Sequence, residues 1–343
     1  MCQLTFHIFQ YEPITENRRR APAPKFDSLH FLLSNREYTN SAEKYFNDNY
    51  GFRDILIRVN NQIDYSLFKV SKNILIGDNN WLYYKDSMEK TAVSLQQVND
   101  SSFVEVVQHI KRINAHLKSK DIMLVVMPIP DKSTIYPEFN TRNTIILSKK
   151  NQFASFMHIL KADSEIHSVD VLSTFQSEKK RYQVFHKTDM HWNDVGATFT
   201  SIKTVELLAQ LNNMSLSWLY PLKIHSYENF TGGQLAALAL IAPHYELKLS
   251  TQGQKKYASQ LIPMPKKFDL HYKSSFDQSI QLLPKTVVFG NSFTENLSDT
   301  GFVDHFSEIY IIRNFDINTI DSYIPQGTQI VIWQINEEGL LSL

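Results

Sequence analysis

An uninterrupted apolar run, Ile122-Met123-Leu124-Val125-Val126-Met127, limits what this chain can fold into more than any other stretch. Six consecutive apolar residues leave no polar face, which fits a strand buried on both sides in a sheet covered by helices. Pro128 and Pro130 follow at once and are expected to end the strand, because proline brings no amide donor to a ladder. Similar short runs recur in the last third: Thr286-Val287-Val288-Phe289, Ile309-Tyr310-Ile311-Ile312 and Gln329-Ile330-Val331-Ile332-Trp333.

Helical patterns separate these strands. Residues 102–118 predict a helix with Phe103, Val106, Val107, Ile110, Ile113 and Leu117 on one stripe, and Ser102 and Glu105 stand at capping-box spacing. A second helix is expected over 148–160, burying Phe153, Phe156, Met157 and Leu160. A third starts near Asn193 and carries Ala197, Val205 and Leu208 towards Leu211. Short buried strands alternating with helices give the fold class: α/β, one open, mainly parallel sheet covered by helices. Residues 73–84 predict two short strands around a Gly77-Asp78-Asn79-Asn80 turn. Pro13, Pro22 and Pro24 break up the start of the chain, so residues 1–40 read as an irregular arm. Residues 41–343 read as a single domain with insertions.

Composition narrows the function classes. The chain has 343 residues, 43% of them hydrophobic and 20% charged, which suits a globular α/β domain and not a disordered one. Lysine plus arginine equals aspartate plus glutamate at 35 each, so no overall field attracts a polyanion. The run Arg18-Arg19-Arg20 has no interleaved aromatics and is expected on a solvated arm, which argues against a nucleic-acid partner. Cys2 is the single cysteine, which excludes an intrachain disulfide and a cysteine-rich metal site. No apolar run is long enough to cross a bilayer, and the opening residues lack the features of a signal peptide. Read from the residues alone, this favours a soluble cytoplasmic chain.

Two segments can carry chemistry. In Val287-Val288-Phe289-Gly290-Asn291-Ser292-Phe293 a buried strand ends at glycine and a hydroxyl follows two residues later. Ligands of α/β sheets gather beyond the carboxyl ends of strands, and a sharp turn there exposes a serine oxygen beside free backbone N–H groups. The rival reading makes Ser292 a helix N-cap with Glu295 at capping-box spacing. The second segment runs His186-Lys187-Thr188-Asp189-Met190-His191-Trp192-Asn193-Asp194. Asp189 and His191, two apart, can face one cleft, the imidazole moving a proton and the carboxylate orienting it. A plain surface loop with Asn193 or Asp194 capping the next helix explains the same window. A metal held by His186, Asp189 and His191 is disfavoured, since all three crowd one loop. Trp192 is either a sugar-stacking platform or loop packing. Asp131 and Lys132 either enter the cleft as substrate-binding residues or form a polar turn. Gly232 and Gly233 allow a close backbone approach or a helix start, without making a phosphate loop.

Taken in order, several pieces resemble the SGNH-hydrolase-like O-acetyltransferases of bacterial exopolysaccharide assembly, the alginate O-acetyltransferase family. They are Pro13-Ile14-Thr15-Glu16-Asn17-Arg18, Tyr45-Phe46-Asn47-Asp48-Asn49-Tyr50-Gly51-Phe52-Arg53, Ile76-Gly77-Asp78-Asn79-Asn80-Trp81-Leu82-Tyr83, Pro130-Asp131-Lys132 with Tyr136-Pro137-Glu138, Thr188-Asp189-Met190-His191-Trp192-Asn193 and Gly290-Asn291-Ser292-Phe293. The chain departs from the pattern at Asp78-Asn79-Asn80, at Gln234 and at Asn291. The resemblance implies an SGNH-like fold and a triad of Ser292, His191 and Asp189 that carries an acetyl group to a sugar hydroxyl, with Trp192, Asn291, Lys132 and Asp131 as candidate substrate-binding residues. It implies no cofactor and no metal. The implied acceptor is a bacterial polysaccharide or cell-wall glycan, and the implied acetyl source is a multispanning membrane acyltransferase. The implied location is the periplasm or the outer face of the cytoplasmic membrane, with a membrane tether. No separate C-terminal carbohydrate-binding domain is expected. An acetylesterase using the same triad, and a non-catalytic polysaccharide-binding or assembly protein, are the alternatives.

Overall fold

The computed structural model describes residues 14, 19–24, 36–85, 100–140, 152–220, 222–251, 259–266, 269–274 and 281–342. Its centre is the strand that the apolar run predicts, β3 (Met123–Ile129), buried from Leu124 to Ile129. β11 (Ile330–Asn336) pairs with it in parallel over its full length, from Ile330 opposite Met123 to Asn336 opposite Ile129. β9 (Thr286–Phe289) lies parallel to β11, and β10 (Glu308–Ile312) lies parallel to β9. β4 (His167–Ser168) pairs in parallel with the other side of β3. Two antiparallel strands, β8 (Leu270–Ser274) and β7 (Ser259–Ile262), extend the sheet beyond β10. The order is β4-β3-β11-β9-β10-β8-β7, a mainly parallel sheet as the sequence anticipates.

Every residue of β9 and all but the last of β11 are buried. Successive side chains point to opposite faces, so both faces must be covered. α3 (Asp100–Lys118) and α5 (Gln152–Ala162) pack on one another, as do α6 (Val171–Glu178) and α7 (Asp194–Leu211). Fully burying a Val, Ile or Phe side chain contributes about 1.5–3 kcal/mol, and these strands supply such residues in unbroken series.

β3 runs through Pro128 instead of stopping before it. The Val169 N–H donates to the Val126 carbonyl at 2.9 Å, so residue 126 faces the β4 side. Residue 128 faces the same way, but β4 ends at Ser168. Among the described residues no strand stands there to need the amide that proline lacks. α3 begins at Asp100, which puts Ser102 inside the helix and removes its expected capping role. Of the helix predicted over 148–160, residues 148–151 lie outside the described residues, and the remainder buries Phe153, Phe156, Met157 and Leu160 as predicted.

The sequence reading missed α6 and two longer helices: α1 (Arg36–Asn49), which starts inside the region expected to be irregular, and α2 (Arg53–Ile63), continued by a π-turn over Asp64–Phe68. The single buried residue of α1 is Asp48, and that of α2 is Asp54. Leu56, Val59 and Ile63 of α2 stand at helical spacing, but all three are exposed and none is buried against the sheet. Both carboxylates tie down the preceding segment. Asp48 accepts from the Ala21 N–H at 2.9 Å, and Arg20 donates to Asp54 at 3.2 Å. Arg20 is thus engaged with the fold.

Three smaller elements flank the carboxyl edge of the sheet. β1 (Ile74–Ile76) and β2 (Leu82–Tyr84) form the expected hairpin, with Ile76 opposite Leu82. β5 (His225–Phe230) and β6 (Glu246–Ser250) make a second antiparallel pair, and α8 (Gly233–Leu238) lies between them in sequence. Tyr65, Ile74, Ile76, Leu82, Leu235, Leu238 and Leu240 form a small separate core that joins the end of α2, the β1–β2 hairpin and α8. Among the described residues no helix is long and apolar enough to cross a membrane.

Candidate active site

β9 delivers Ser292. The strand ends at Phe289, and Gly290 and Asn291 turn the chain into a short 3₁₀ segment, Ser292–Thr294. A Cβ on Gly290 would stand 2.4 Å from Thr294 Cγ2 and 2.5 Å from Gln334 Oε1, so the turn requires glycine for close approach. The cap of the 3₁₀ segment is Asn291, whose side-chain oxygen accepts from the Phe293 N–H at 3.0 Å. Ser292 is therefore not the cap, and its hydroxyl is available. β11 braces the turn: Gln334 Oε1 accepts from the Asn291 N–H at 2.9 Å, and Asn291 Nδ2 donates to Asn336. Asn291 is thus occupied by the turn itself.

Asp189 and His191 come from a hairpin between α6 and α7. Phe185 and Trp192 bridge its two arms, the His186 N–H donates to the His191 carbonyl at 3.2 Å, and the Asn193 N–H donates to the Val184 carbonyl at 3.1 Å. Asn193 also caps α7, accepting from the Gly196 N–H at 3.0 Å. Capping and site geometry coexist in this window.

The two segments meet in a relay. His191 Nδ1 lies 2.6 Å from Asp189 Oδ1, and His191 Nε2 lies 2.7 Å from Ser292 Oγ. Asp189 Oδ1 also accepts from the His191 backbone N–H at 3.0 Å, and Oδ2 accepts from the Gly233 N–H at 2.6 Å. Burial would raise this carboxyl, but the hydrogen bonds and charge of His191 and the Gly233 amide outweigh it, holding Asp189 well below the usual carboxylate range. With Asp189 ionised, Nδ1 carries the imidazole proton, which leaves Nε2 to accept from the Ser292 hydroxyl. The arrangement can draw a proton off Ser292 and return it.

Polar side chains from elsewhere hold the hairpin in place. Glu246 of β6 accepts from the Lys187 N–H at 2.8 Å, the Thr188 N–H at 3.0 Å and the Thr188 hydroxyl at 2.6 Å. Lys132, 5% exposed, donates to the carbonyls of His186, Lys187 and Asp189 at 3.1, 3.2 and 2.6 Å, and to Gln234 Oε1 at 3.0 Å. Burial pushes its ammonium down to about 7, against the pull of the Asp189 and Glu246 carboxylates. The loop before α8 presses on the hairpin as well. A Cβ on Gly232 would stand 2.2 Å from the Thr188 carbonyl oxygen.

The remaining candidates divide. Asp131 lines a recess with Tyr83, Tyr84, Ser133, Met190 and Phe293, and Met190 and Phe293 are the chain neighbours of His191 and Ser292. Lys132 borders the same recess, but its donors are spent on protein oxygens. Trp192 is fully buried, edge-on to Phe175 and Phe293 with centroids at 6.3 and 5.4 Å. It packs the hairpin down and has no face to offer a sugar. His186 stacks on Phe230 at 4.2 Å, and burial pushes its imidazole down to about 4. Among the described residues no three His, Cys, Asp or Glu side chains are grouped to hold a metal ion. Glu246, Gln334 and Asn336 escaped the sequence reading. Glu246 gave a misleading signal, since it points inward at 8% exposed while its neighbour Leu247 points outward at 55%.

A mainly parallel α/β sheet with a serine–histidine–aspartate relay beyond the carboxyl end of a central strand defines a serine-hydrolase-like class of protein. The family described as "SGNH hydrolase-like domain, acetyltransferase AlgX" matches residues 74–309, well over half of the chain, and the chain belongs to that family. It is 27% identical over 187 residues to the probable alginate O-acetylase AlgJ of Azotobacter vinelandii, covering 52% of this chain and 46% of that one. To the probable alginate O-acetylase AlgJ of Pseudomonas aeruginosa it is 26% identical over 166 residues, covering 48% and 41%. The chain thus spans about half the length of the curated relatives it matches. Among solved structures it is similar to PatB1 of Bacillus cereus, with a TM-score of 0.52 and 12% identity over 78% of this chain and 96% of that one. That last likeness is one of fold.

Proposed function

We propose that this chain is an O-acetyltransferase that passes an acetyl group through Ser292 to a hydroxyl of an extracytoplasmic bacterial polysaccharide. The observation that carries the reading is the continuous Asp189–His191–Ser292 relay, at 2.6 and 2.7 Å, on the carboxyl edge of the sheet. His191 Nε2 takes the Ser292 proton as Oγ attacks the acetyl carbonyl. The tetrahedral oxyanion meets the Ser292 N–H, which has no intrahelical acceptor because Ser292 opens its 3₁₀ segment. The leaving group departs with the proton from His191, and acetyl-Ser292 remains. A sugar hydroxyl then gives its proton to His191 and attacks the ester, and the proton returns to Ser292 Oγ as the acetylated sugar leaves.

Family membership supports acyl transfer and an extracytoplasmic location, and the names of the AlgJ relatives, which specify alginate, support a polysaccharide acceptor. We extend to this chain the membrane acyltransferase as acetyl source that the family resemblance implies. Incubation with p-nitrophenyl acetate and a panel of bacterial oligosaccharides, followed by mass spectrometry of protein and sugars, tests the reading. Acetyl on Ser292 and on a sugar is the expected result, with both lost in Ser292→Ala. Equal acetylation of the alanine variant would sink the assignment, and free acetate as the sole product would convert it to an esterase.

A further inference from the structure

Lys132 is chemically out of place as a substrate ligand. It is a long cation, yet almost all of it is buried, and its three N–H donors face four protein oxygens between 2.6 and 3.2 Å away. The Trp81 and Tyr83 rings close over it at 5.8 and 5.2 Å. A charge so deeply buried is kept only where its surroundings compensate it, and those surroundings are the parts that hold Asp189. Three of the four acceptors are carbonyls of the hairpin, including that of Asp189. The fourth is Gln234, whose neighbour Gly233 gives its N–H to Asp189 Oδ2.

Lys132 also stands on firm ground. It opens the short helix α4 (Lys132–Ile135) directly beyond β3. The Asp131 N–H and the Thr134 hydroxyl on either side both donate to Glu337, at 2.8 and 2.7 Å, just past the end of β11.

We propose that Lys132 is a positioning residue: its ammonium ties the Asp189–His191 hairpin and the start of α8 to the carboxyl edge of the sheet, and so sets the Asp189 carboxylate against His191. This role rests on the acyl-transfer reading above and adds to it a residue that never touches substrate. A direct substrate contact and a positioning contact leave different kinetic marks. Loss of a substrate contact raises KM. Loss of positioning lowers kcat by up to about a hundredfold with KM nearly unchanged. The acid limb of the rate profile separates positioning from electrostatics. A displaced Asp189 stabilises the imidazolium less and moves the limb to lower pH, whereas simple removal of a nearby cation moves it higher.

The test measures kcat and KM for p-nitrophenyl acetate across pH in the full chain, for wild type, Lys132→Met and Gln234→Ala, with rates normalised to the fraction folded by thermal melting. The expected result is a fall in kcat of about ten- to a hundredfold in Lys132→Met, little change in KM, and an acid limb displaced to lower pH. Gln234→Ala keeps the cation, removes one acceptor and is expected to shift both quantities the same way by less. It carries the test if Lys132→Met does not fold. A raised KM with kcat retained overturns positioning in favour of substrate contact. An unmoved limb, or one that moves up, also overturns it. A wild type that never acylates Ser292 removes the catalytic reading, and the role of Lys132 with it.

Discussion

The serine turn and the Asp189–His191 hairpin meet at one hydrogen bond, yet they are built by opposite means. Ser292 sits three residues past the end of β9, and the brace comes from the adjacent strand, through Gln334 and Asn336 of β11. The hairpin belongs to no strand of the main sheet. Its shape is imposed by Lys132 beyond β3, Glu246 on β6 and Gly233 at the start of α8. The nucleophile is placed by backbone inside a rigid sheet, while its base is placed chiefly by two side chains, Lys132 and Glu246, which converge with the Gly233 amide from three separate elements. Damage at single side chains should therefore reach the base more readily than the nucleophile.

The largest predicted effect lies in the hairpin. Asp189→Asn preserves the shape but removes the charge that fixes the His191 tautomer, and a loss of about ten-thousandfold in kcat is expected. The same substitution has a pH signature. His191 and Gly233 hold the Asp189 carboxyl below its usual range against burial. A group depressed in the folded state adds stability above its unfolded value, near about 3.9, and loses it as pH falls through the folded value. The stability gap between wild type and variant, followed by urea unfolding, should hold steady from neutrality to about pH 4 and close only below that. A gap that closes between pH 7 and 5 would show that Asp189 is not held in this way.

Two glycines allow a matched comparison of the regions. Gly232→Ala would place its Cβ 2.2 Å from the Thr188 carbonyl and 2.6 Å from the Asp189 nitrogen, both backbone atoms of the hairpin. Gly290→Ala would meet Thr294 Cγ2 and Gln334 Oε1 at 2.4 and 2.5 Å, both side-chain atoms, the second at the end of a flexible chain. Backbone cannot swing aside, so Gly232→Ala should displace Asp189 and cost about a hundredfold in kcat. Gly290→Ala should cost less. Equal losses in assays normalised for folded protein would mean that the turn is no better supported than the hairpin.

The same contrast decides what could be read from sequence. β3, β9, β10 and β11 were legible because an unbroken apolar run is a local signal, and the serine turn was legible because it hangs directly on one of those runs. Asn193 as a helix cap was legible for the same local reason. Trp192 left both readings open, since a ring beside a polar pair looks alike whether it faces in or out. α1 and α2 were missed although Leu56, Val59 and Ile63 of α2 stand at helical spacing; those residues are exposed, and the buried residues of the two helices are Asp48 and Asp54, which hold the arm by hydrogen bonds. Lys132 and Gln234 are 102 positions apart and Thr188 and Glu246 are 58 apart, so nothing in either neighbourhood announced the pairing. The alternation in β6 argued against it, since the charge is inside and Leu247 outside.

The smallest predicted effect probes this hidden support directly. Glu246 offers two carboxylate oxygens to the Lys187 and Thr188 amides and the Thr188 hydroxyl, all within 3.0 Å, and to Gln183 Nε2 at 3.4 Å. Glu246→Gln keeps the shape but replaces one of those oxygens with an amide NH₂, so donor meets donor in a buried site. Leaving a buried donor unmatched costs about 1–3 kcal/mol, which should appear as a lower melting temperature and a several-fold loss of kcat. On the other side, Gln334→Met leaves only the Asn291 N–H without its acceptor, while Asn336 still accepts from Asn291. That variant should lose comparable stability but retain more activity, because the path of β9 still fixes Ser292. If Gln334→Met proves the more damaging to kcat, the serine depends on its side-chain brace as much as the base does, and the division between a backbone-placed nucleophile and a side-chain-placed base fails.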